Sequence, residues 1–457
     1  MAPVQRLNGS GRKNRLRYSL FPNLNIPKGR VQKQITFFKV VYRRHTNFAI
    51  EAIEQTFTGS VDFGRKVSCT VSRNGDLIHK VYLQVNLPTL TTTAGTVSWD
   101  KMVGHNLIDT VYIEIGGQTI DTHYGDWLNI WNELTQSAEK EAGYNTMIGN
   151  TIPLTTMSYN TLTGATSADT TATPKATLYI PLQFWFCRNP GLALPLIALQ
   201  YHEVKFNITF RDAASLYTKS AAGVVVDVGT GFDASLYIDY IYLDTDERRQ
   251  FAQVQHEYLI EQLQFTGAES VPQGTGSVKS KLALNHPCKE LVWVVQQDSN
   301  ELADYSNTGA HTVADAKLQL NGQDRFSVRE GAYFNLVQPY QHHTRIPAVG
   351  IYVYSFALNP EQHQPSGTVN MSRIDNATLQ LSTNVSGAAK LRVYAVNYNV
   401  LRIMAGIKEC IYINLCQTVS CIISSTITYY EKQCKIVGNE KFLYNWLVNE
   451  LTYLAVC

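Results

Sequence analysis

From Tyr201 to Phe210 the chain alternates without a break. His202, Val204, Phe206, Ile208 and Phe210 fall on one side, and Tyr201, Glu203, Lys205, Asn207 and Thr209 on the other. Successive side chains of an extended segment point to opposite faces, so the stretch predicts a strand with one face on a core and one face wet. The lead-in from Asn189 holds Pro190, Gly191 and Pro195, which exclude a regular helix there. Strands of the same texture are expected at Phe37–Tyr42, Phe48–Phe57, Val81–Leu87, Val111–Ile115 and Leu178–Phe186. Asn74-Gly75 and Gly116-Gly117 mark turns between them. Trp127, Ile130, Trp131 and Leu134 recur at helical spacing and predict a helix in this half. Thr155–Thr173 lacks periodicity and reads as a long surface loop.

A second set of strands begins near Ser235: Leu236–Leu243, Tyr258–Phe265, Leu291–Gln296, Lys317–Leu320, Ile351–Leu358, Ala377–Ser382 and Leu391–Arg402. The two sets look like copies. Glu54-Gln-Thr-Phe-Thr-Gly59 has a counterpart in Glu261-Gln-Leu-Gln-Phe-Thr-Gly267. Ile113-Glu-Ile-Gly-Gly-Gln118 has one in Leu318-Gln-Leu-Asn-Gly-Gln323. The offsets, 208 between Phe57 and Phe265 and 205 between Ile113 and Leu318, nearly agree. Two ordered matches at one spacing point to a tandem duplication of a whole domain. The expected division is a basic arm at 1–33, a first domain at 34–221, a small-residue linker at 222–234, a second domain at 235–406 and a tail at 407–457. Short strands with regular turns and long loops favour the eight-stranded jelly roll over the smaller immunoglobulin-like sandwich. The expected class is therefore all-β: two tandem antiparallel jelly rolls with a few short helices in loops.

Charge modifies this picture mainly at the ends. The 457 residues carry a net charge of +2, yet residues 1–50 hold eleven Lys/Arg and no Asp or Glu. Such a block suits an arm for nucleic acid or anionic lipid, or a solvated tail. Only 17% of residues are charged, against roughly 25% in an average domain, so much surface is polar-neutral or covered by partners. Cys69, Cys187 and Cys288 are widely spaced, and Cys410, Cys416, Cys421, Cys434 and Cys457 crowd the end. Scattered thiols suit a reducing compartment, and no secretory signal opens the chain.

Four segments, Ile35–Glu51, Asn189–Val204, Tyr240–Glu261 and Asn397–Met404, resemble the major capsid protein of large nucleocytoplasmic DNA viruses, especially those infecting algae. The resemblance covers Gln34 to Gly406. It implies a double jelly roll that trimerises into pseudo-hexagonal capsomers tiling an icosahedral shell. It further implies neighbouring capsomers and minor capsid proteins as partners, an inner membrane under the shell, and synthesis and assembly in host cytoplasm. Two regions depart from the family. Residues 1–33 replace a short apolar segment, and about fifty residues continue past the last motif, so no family role carries onto either end.

No catalytic constellation, cofactor motif or metal set is expected. The phosphate-loop, dinucleotide, His-Glu-x-x-His and Gly-x-Ser-x-Gly patterns are missing from the sequence. His342-His343 reads as a loop pair without function, because neighbours on an extended segment face opposite ways. His311 and His363 add no cupin-like spacing. The terminal cysteines lack close Cys-x-x-Cys pairs. Arg43-Arg44 either contacts a neighbouring subunit or is solvated. Sequons occur at Asn8, Asn207, Asn370, Asn376 and Asn384; of these Asn370, Asn376 and Asn384 are the candidate glycosylation sites, with Asn207 on the polar face of its strand. Some algal-virus relatives carry outer-loop glycans that do not depend on sequons. Cys410–Tyr430 is uncharged but too rich in Ser, Thr, Asn and Gln for a good membrane span. The expected function is structural, with assembly as the activity and no sequence-specific nucleic-acid binding; the alternative is a carbohydrate- or receptor-binding jelly roll on the virion surface. The Thr155–Thr173 and Asn300–His311 loops are expected to decorate the outer or inter-capsomer surface.

Overall fold

The computed structural model describes residues 45–92, 95–156, 171–221, 223–229, 231–403 and 411–413. Eight principal strands build the first half: β1 (Phe48–Gln55), β2 (Lys66–Thr70), β3 (Leu77–Leu87), β4 (Ile108–Ile115), β5 (Gln118–Tyr124), β6 (Ala176–Pro181), β7 (Val204–Phe210) and β8 (Asp233–Leu243). They form two antiparallel sheets, ordered β1-β8-β3-β6 and β2-β7-β4-β5, and the short strand Leu194–Pro195 extends the free edge of β3. Eight more build the second half: β9 (His256–Val271), β10 (Gly274–Leu282), β11 (Pro287–Gln297), β12 (Val313–Leu320), β13 (Gln323–Asp324), β14 (Ile351–Ser355), β15 (Ala377–Val385) and β16 (Ala389–Ile403). Their sheets run β9-β16-β11-β14 and β10-β15-β12-β13. Each strand of the first half thus has its counterpart eight strands later, in the same sheet position. This is a double jelly roll.

The repeat extends to backbone detail. Gly116-Gly117 joins β4 to β5 with φ of 60° and 84°, and Asn321-Gly322 joins β12 to β13 with φ of 51° and 79°. Two successive positive φ angles make a hairpin turn whose twist matches the strands, and Gly or Asn tolerates that conformation. Each half has its own core. In the first, Leu83, Val85, Ile113, Phe206, Ile208 and Phe210 meet between the sheets. In the second, Leu291, Trp293, Val295, Leu318, Leu379 and Leu381 do so. The predicted alternation of β7 holds for Val204, Phe206, Ile208 and Phe210, all buried. Asn207, expected on a wet face, is also buried, and its Nδ2 donates to Glu114 Oε2 at 3.3 Å.

Three expectations require correction. The segment from Ser235 does not open the second domain. Residues of β8 pair with β1 (Phe48↔Leu243) and with β3 (Leu83↔Leu236), so β8 completes the first jelly roll. The expected linker 222–234 accordingly falls within that roll, with Val226–Asp227 paired to Thr91–Thr92 and Asp233 and Ala234 already in β8. The connection between rolls is helix Thr245–Gln253, capped where Asp244 Oδ1 accepts from Thr245 N at 2.7 Å. The strand expected through Phe186 stops at Pro181, and Trp185–Arg188 turns helical. Strands β2, β5 and β10 escaped the hydrophobic pattern because Lys66–Thr70, Gln118–Tyr124 and Gly274–Leu282 are largely polar. Phe37–Tyr42, Arg43-Arg44, the arm 1–33 and most of Thr155–Thr173 lie outside the described residues; of the tail, Ile411–Ile413 is described and pairs with β16.

Candidate functional site at the junction of the jelly rolls

The apolar helix predicted around Trp127 is present as α1 (Gly125–Thr135), directly after β5. Its Trp127, Ile130, Trp131 and Leu134 do not enter the first core. They pack with Val292 and Val294 of β11, Ile351 and Val353 of β14, and Tyr394 and Val396 of β16. The helix of one roll therefore lies on the outer face of the other roll's sheet. The sequence carried a signal for this that the alternation rule passes over. Leu291-Val-Trp-Val-Val295 is apolar without alternation, and every residue of Cys288–Gln297 is buried. A strand with both faces covered has no wet side to mark in its sequence. Trp127 packs tilted against Trp131 and Tyr394, with ring centroids 5.7 and 5.5 Å apart. From the second roll, Ile260, Leu401 and Ile403 also enter the first core.

Charged pairs stitch the rim of this apolar seam. Glu261 of β9 holds Arg188 of the first roll at 2.9 Å and Lys289 of β11 at 2.8 Å through one carboxylate oxygen. Lys289 is fully buried, and its ammonium also donates to Pro360 O. The Arg188 guanidinium lies 4.3 Å from the Trp131 ring centroid. On the opposite rim, Asp126 of α1 binds Arg392 of β16 at 2.9 Å and Arg211 of the first roll at 3.4 Å. Burial, then the Asp126 charge, pushes the phenols of Tyr305 and Tyr394 well above their ordinary pKa, so both stay neutral. Backbone links cross as well: Leu263 N donates to Asp121 Oδ1 at 3.0 Å, and Arg345 N to Leu134 O at 3.1 Å.

His343 overturns its expected place in a functionless loop pair. Gln338–His342 is helical, and His343 follows it with a fully buried side chain. Its Nδ1 donates to Glu361 Oε1 at 3.0 Å, and its Nε2 lies 3.0 Å from Glu290 Oε2, out of line for a good hydrogen bond, so that contact is mainly charge against charge. Burial disfavours the imidazolium, but the Glu290 and Glu361 carboxylates outweigh it and raise His343 to about 9. Burial would raise Glu290, yet His343, Lys289 and Arg188 hold it below the usual carboxylate range. His342 Nδ1, by contrast, bonds the Leu358 carbonyl at 2.9 Å.

The other sequence candidates scatter. Asn370, Asn376 and Asn384 are exposed on the second roll; Asn370 Oδ1 accepts from Ser372 N, and Asn376 N donates to Asn321. The Asn300–His311 loop, expected on the outside, sends Tyr305 into the junction core. Cys69, Cys187 and Cys288 are buried free thiols raised by burial to about 11, 12 and 12. Among the described residues no group of three or more His, Cys, Asp or Glu is disposed to hold a metal, and no helix is long and apolar enough to cross a membrane.

Two jelly rolls of one strand order, locked by a dry seam, define the double-jelly-roll class of viral coat protein. Residues 36–244 match the family described as major capsid protein N-terminus, and 247–408 the family described as large eukaryotic DNA virus major capsid protein. The change of family falls where β8 ends and the connecting helix starts. The chain belongs to the major capsid proteins of large eukaryotic DNA viruses, and is a component of the virion capsid. It is 54% identical to the major capsid protein of Pyramimonas orientalis virus, covering 83% of this chain and 94% of the relative. With that of Phaeocystis pouchetii virus it shares 48%, over 83% and 96%. Among solved structures it is similar to the quasi-atomic model of the PBCV-1 virus capsid, at 38% identity and a TM-score of 0.64, over 81% and 98% of the two chains. The Faustovirus major capsid protein, at 13% identity and a TM-score of 0.69, shares the fold over 86% and 97%.

Proposed function

We propose that three copies of this chain associate into a pseudo-hexagonal capsomer, and that capsomers tile an icosahedral shell assembled in host cytoplasm. One observation carries the reading: the same eight-strand order occurs twice in a single chain. Two equivalent rolls per chain let a threefold object present six similar corners. The seam makes the reading mechanical, because a lattice tile must keep the angle between its two rolls. Stable obligate interfaces bury more than about 2,000 Å2 in total, so the trimer needs broad roll-to-roll contact. Looser contacts join capsomers to each other, to minor capsid proteins and to a membrane beneath. The exposed Asn370, Asn376 and Asn384 are proposed glycan acceptors on the second roll. Mass photometry of purified protein tests the trimer: a species of three chain masses supports it, and a monomer persisting at micromolar concentration refutes it.

A further inference from the structure

One strand feeds every apolar cluster that holds the two rolls together. β16 (Ala389–Ile403) runs through the middle of its sheet, with β9 on one side and β11 on the other. Its alternate faces serve different clusters. Leu391, Val393 and Ala395 enter the second core, and Tyr394 and Val396 face the opposite way, into the seam beneath α1. The ladder to β11 ends at Asn397. Beyond it the strand pairs with Ile411–Ile413 and delivers Leu401 and Ile403 to the first core. All seven of these side chains are 2% exposed or less. Among the described strands no other places buried side chains in all three clusters. β8, its counterpart in the first roll, sends Leu236, Ile238 and Tyr240 to the first core and nothing to the seam or the second core.

This asymmetry ties the first roll to the last of the sixteen strands. β9 has no ladder partner in its sheet except β16, so Ile260, the third second-roll residue in the first core, is also held there through β16. Removing one buried Leu or Ile side chain shifts a folding equilibrium by roughly thirtyfold to several thousandfold. Loss of Leu401, Ile403 and Ile260 together is therefore comparable with the whole folding equilibrium of an ordinary domain. Val67, the first member of that core, precedes Leu401 by 334 residues. Contacts so distant in sequence form late, because the entropy of closing the loop opposes them until they are made.

Tandem domains ordinarily fold one after the other, the N-terminal one first. We propose that here neither roll closes until β16 docks, so that both rolls and the seam form in one step and a chain lacking this strand is withheld from the shell. Docking gives the second sheet its middle strand, the seam its floor and the first core its last three aliphatic side chains. An incomplete chain then offers no finished roll for a lattice to accept. The folding step stands on the cores alone, and its role in assembly rests on the trimer proposed above.

Refolding of the full chain from denaturant, pulse-labelled with deuterium, reads the order directly. Amides of β7, β15 and β16 are expected to become protected at one rate, and protection of β7 in a phase that precedes β16 would overturn the proposal. Native-state hydrogen exchange gives a second reading, through full-chain variants that touch only the first core. Leu401→Ala/Ile403→Ala should lower the protection of the slowest amides about a thousandfold or more. The factor should be the same in β7 and in β15, although β15 has no side chain in the first core. The milder Ile403→Val should lower both by roughly three- to tenfold, which keeps the test decisive where the double variant does not fold. A fall in β7 alone would mean that the rolls open separately, and no fall in either would mean that β16 does nothing for the first core; both results refute the proposal. Mass photometry along the same refolding course follows assembly. Trimers should appear only after β16 is protected, and earlier trimers would overturn its role there. If the chain stays monomeric throughout, the trimer reading fails, and the order of protection still decides the folding step.

Discussion

Replacing His343 by Gln removes a cation enclosed by Glu290 and Glu361, and the pH dependence of stability then reports whether that cation matters. The imidazole titrates at 6.5 in the unfolded chain and at about 9 in the folded one. At roughly 1.4 kcal/mol per pH unit, the difference is worth about 3 kcal/mol. Because the folded value is the higher, this contribution is complete below about pH 6.5 and disappears as pH rises through 9. The two glutamates act in the opposite sense. Both are held below their ordinary value, so their contribution is present above about pH 4.5 and is lost on acidification. Denaturant unfolding of wild type and His343→Gln between pH 6 and 10.5 is the assay. Wild type should lose about 3 kcal/mol more than the variant over that range. If the two stability curves run parallel within 1 kcal/mol, about the resolution of such a comparison, the buried histidine is neutral and the reasoning is refuted. A local consequence follows: amide protection at the end of the helix, near Gln338–His342, should fall with the same midpoint.

Three further outcomes follow from the seam and the repeat. Trp127→Ala empties a fully buried site among Trp131 and Tyr394; it should cost about 3–5 kcal/mol, measured by urea unfolding, while Trp127→Phe should cost clearly less. Glu261→Gln removes the carboxylate that contacts both Arg188 and Lys289 and should cost about 3–5 kcal/mol, whereas replacing Glu261 and Lys289 together by Met should cost much less. Gly125→Ala and Gly331→Ala force a methyl against Ile108 O and Val313 O, at the first residues of β4 and β12; each should lower stability by about 1–3 kcal/mol or more, and a loss at one position alone would count against their equivalence.

Much of the fold was readable from the order of residues. The alternation in β7 and β3 and the turn at Gly116-Gly117 each rest on neighbours within a few positions, and the 205–208 spacing rests on two short motifs matched along the chain. His343 was not readable: its carboxylates lie 53 residues before it and 18 after, and nothing in its own neighbourhood names them. The same holds for β8, whose pattern marks it as a strand but not as the property of either roll. The Gly125 and Gly331 helices share a pattern weak enough in letters to pass unnoticed, and their backbone contacts make the equivalence plain.

Local periodicity and tandem similarity alone were enough to specify strands, hairpin turns and a doubled β domain, because these depend on the side-chain period and on short-range backbone preference. Which sheet each strand joins, where one roll hands over to the next, and which of two similar helices is covered depended on the folded chain. Those choices turn on surfaces brought together from segments more than a hundred residues apart. Among the described residues, α1 lies on the outer face of the second roll's sheet, whereas the helical segment after Gly331 sends Phe334 into the core of its own roll; the local sequences are similar, and the surfaces brought against them are not.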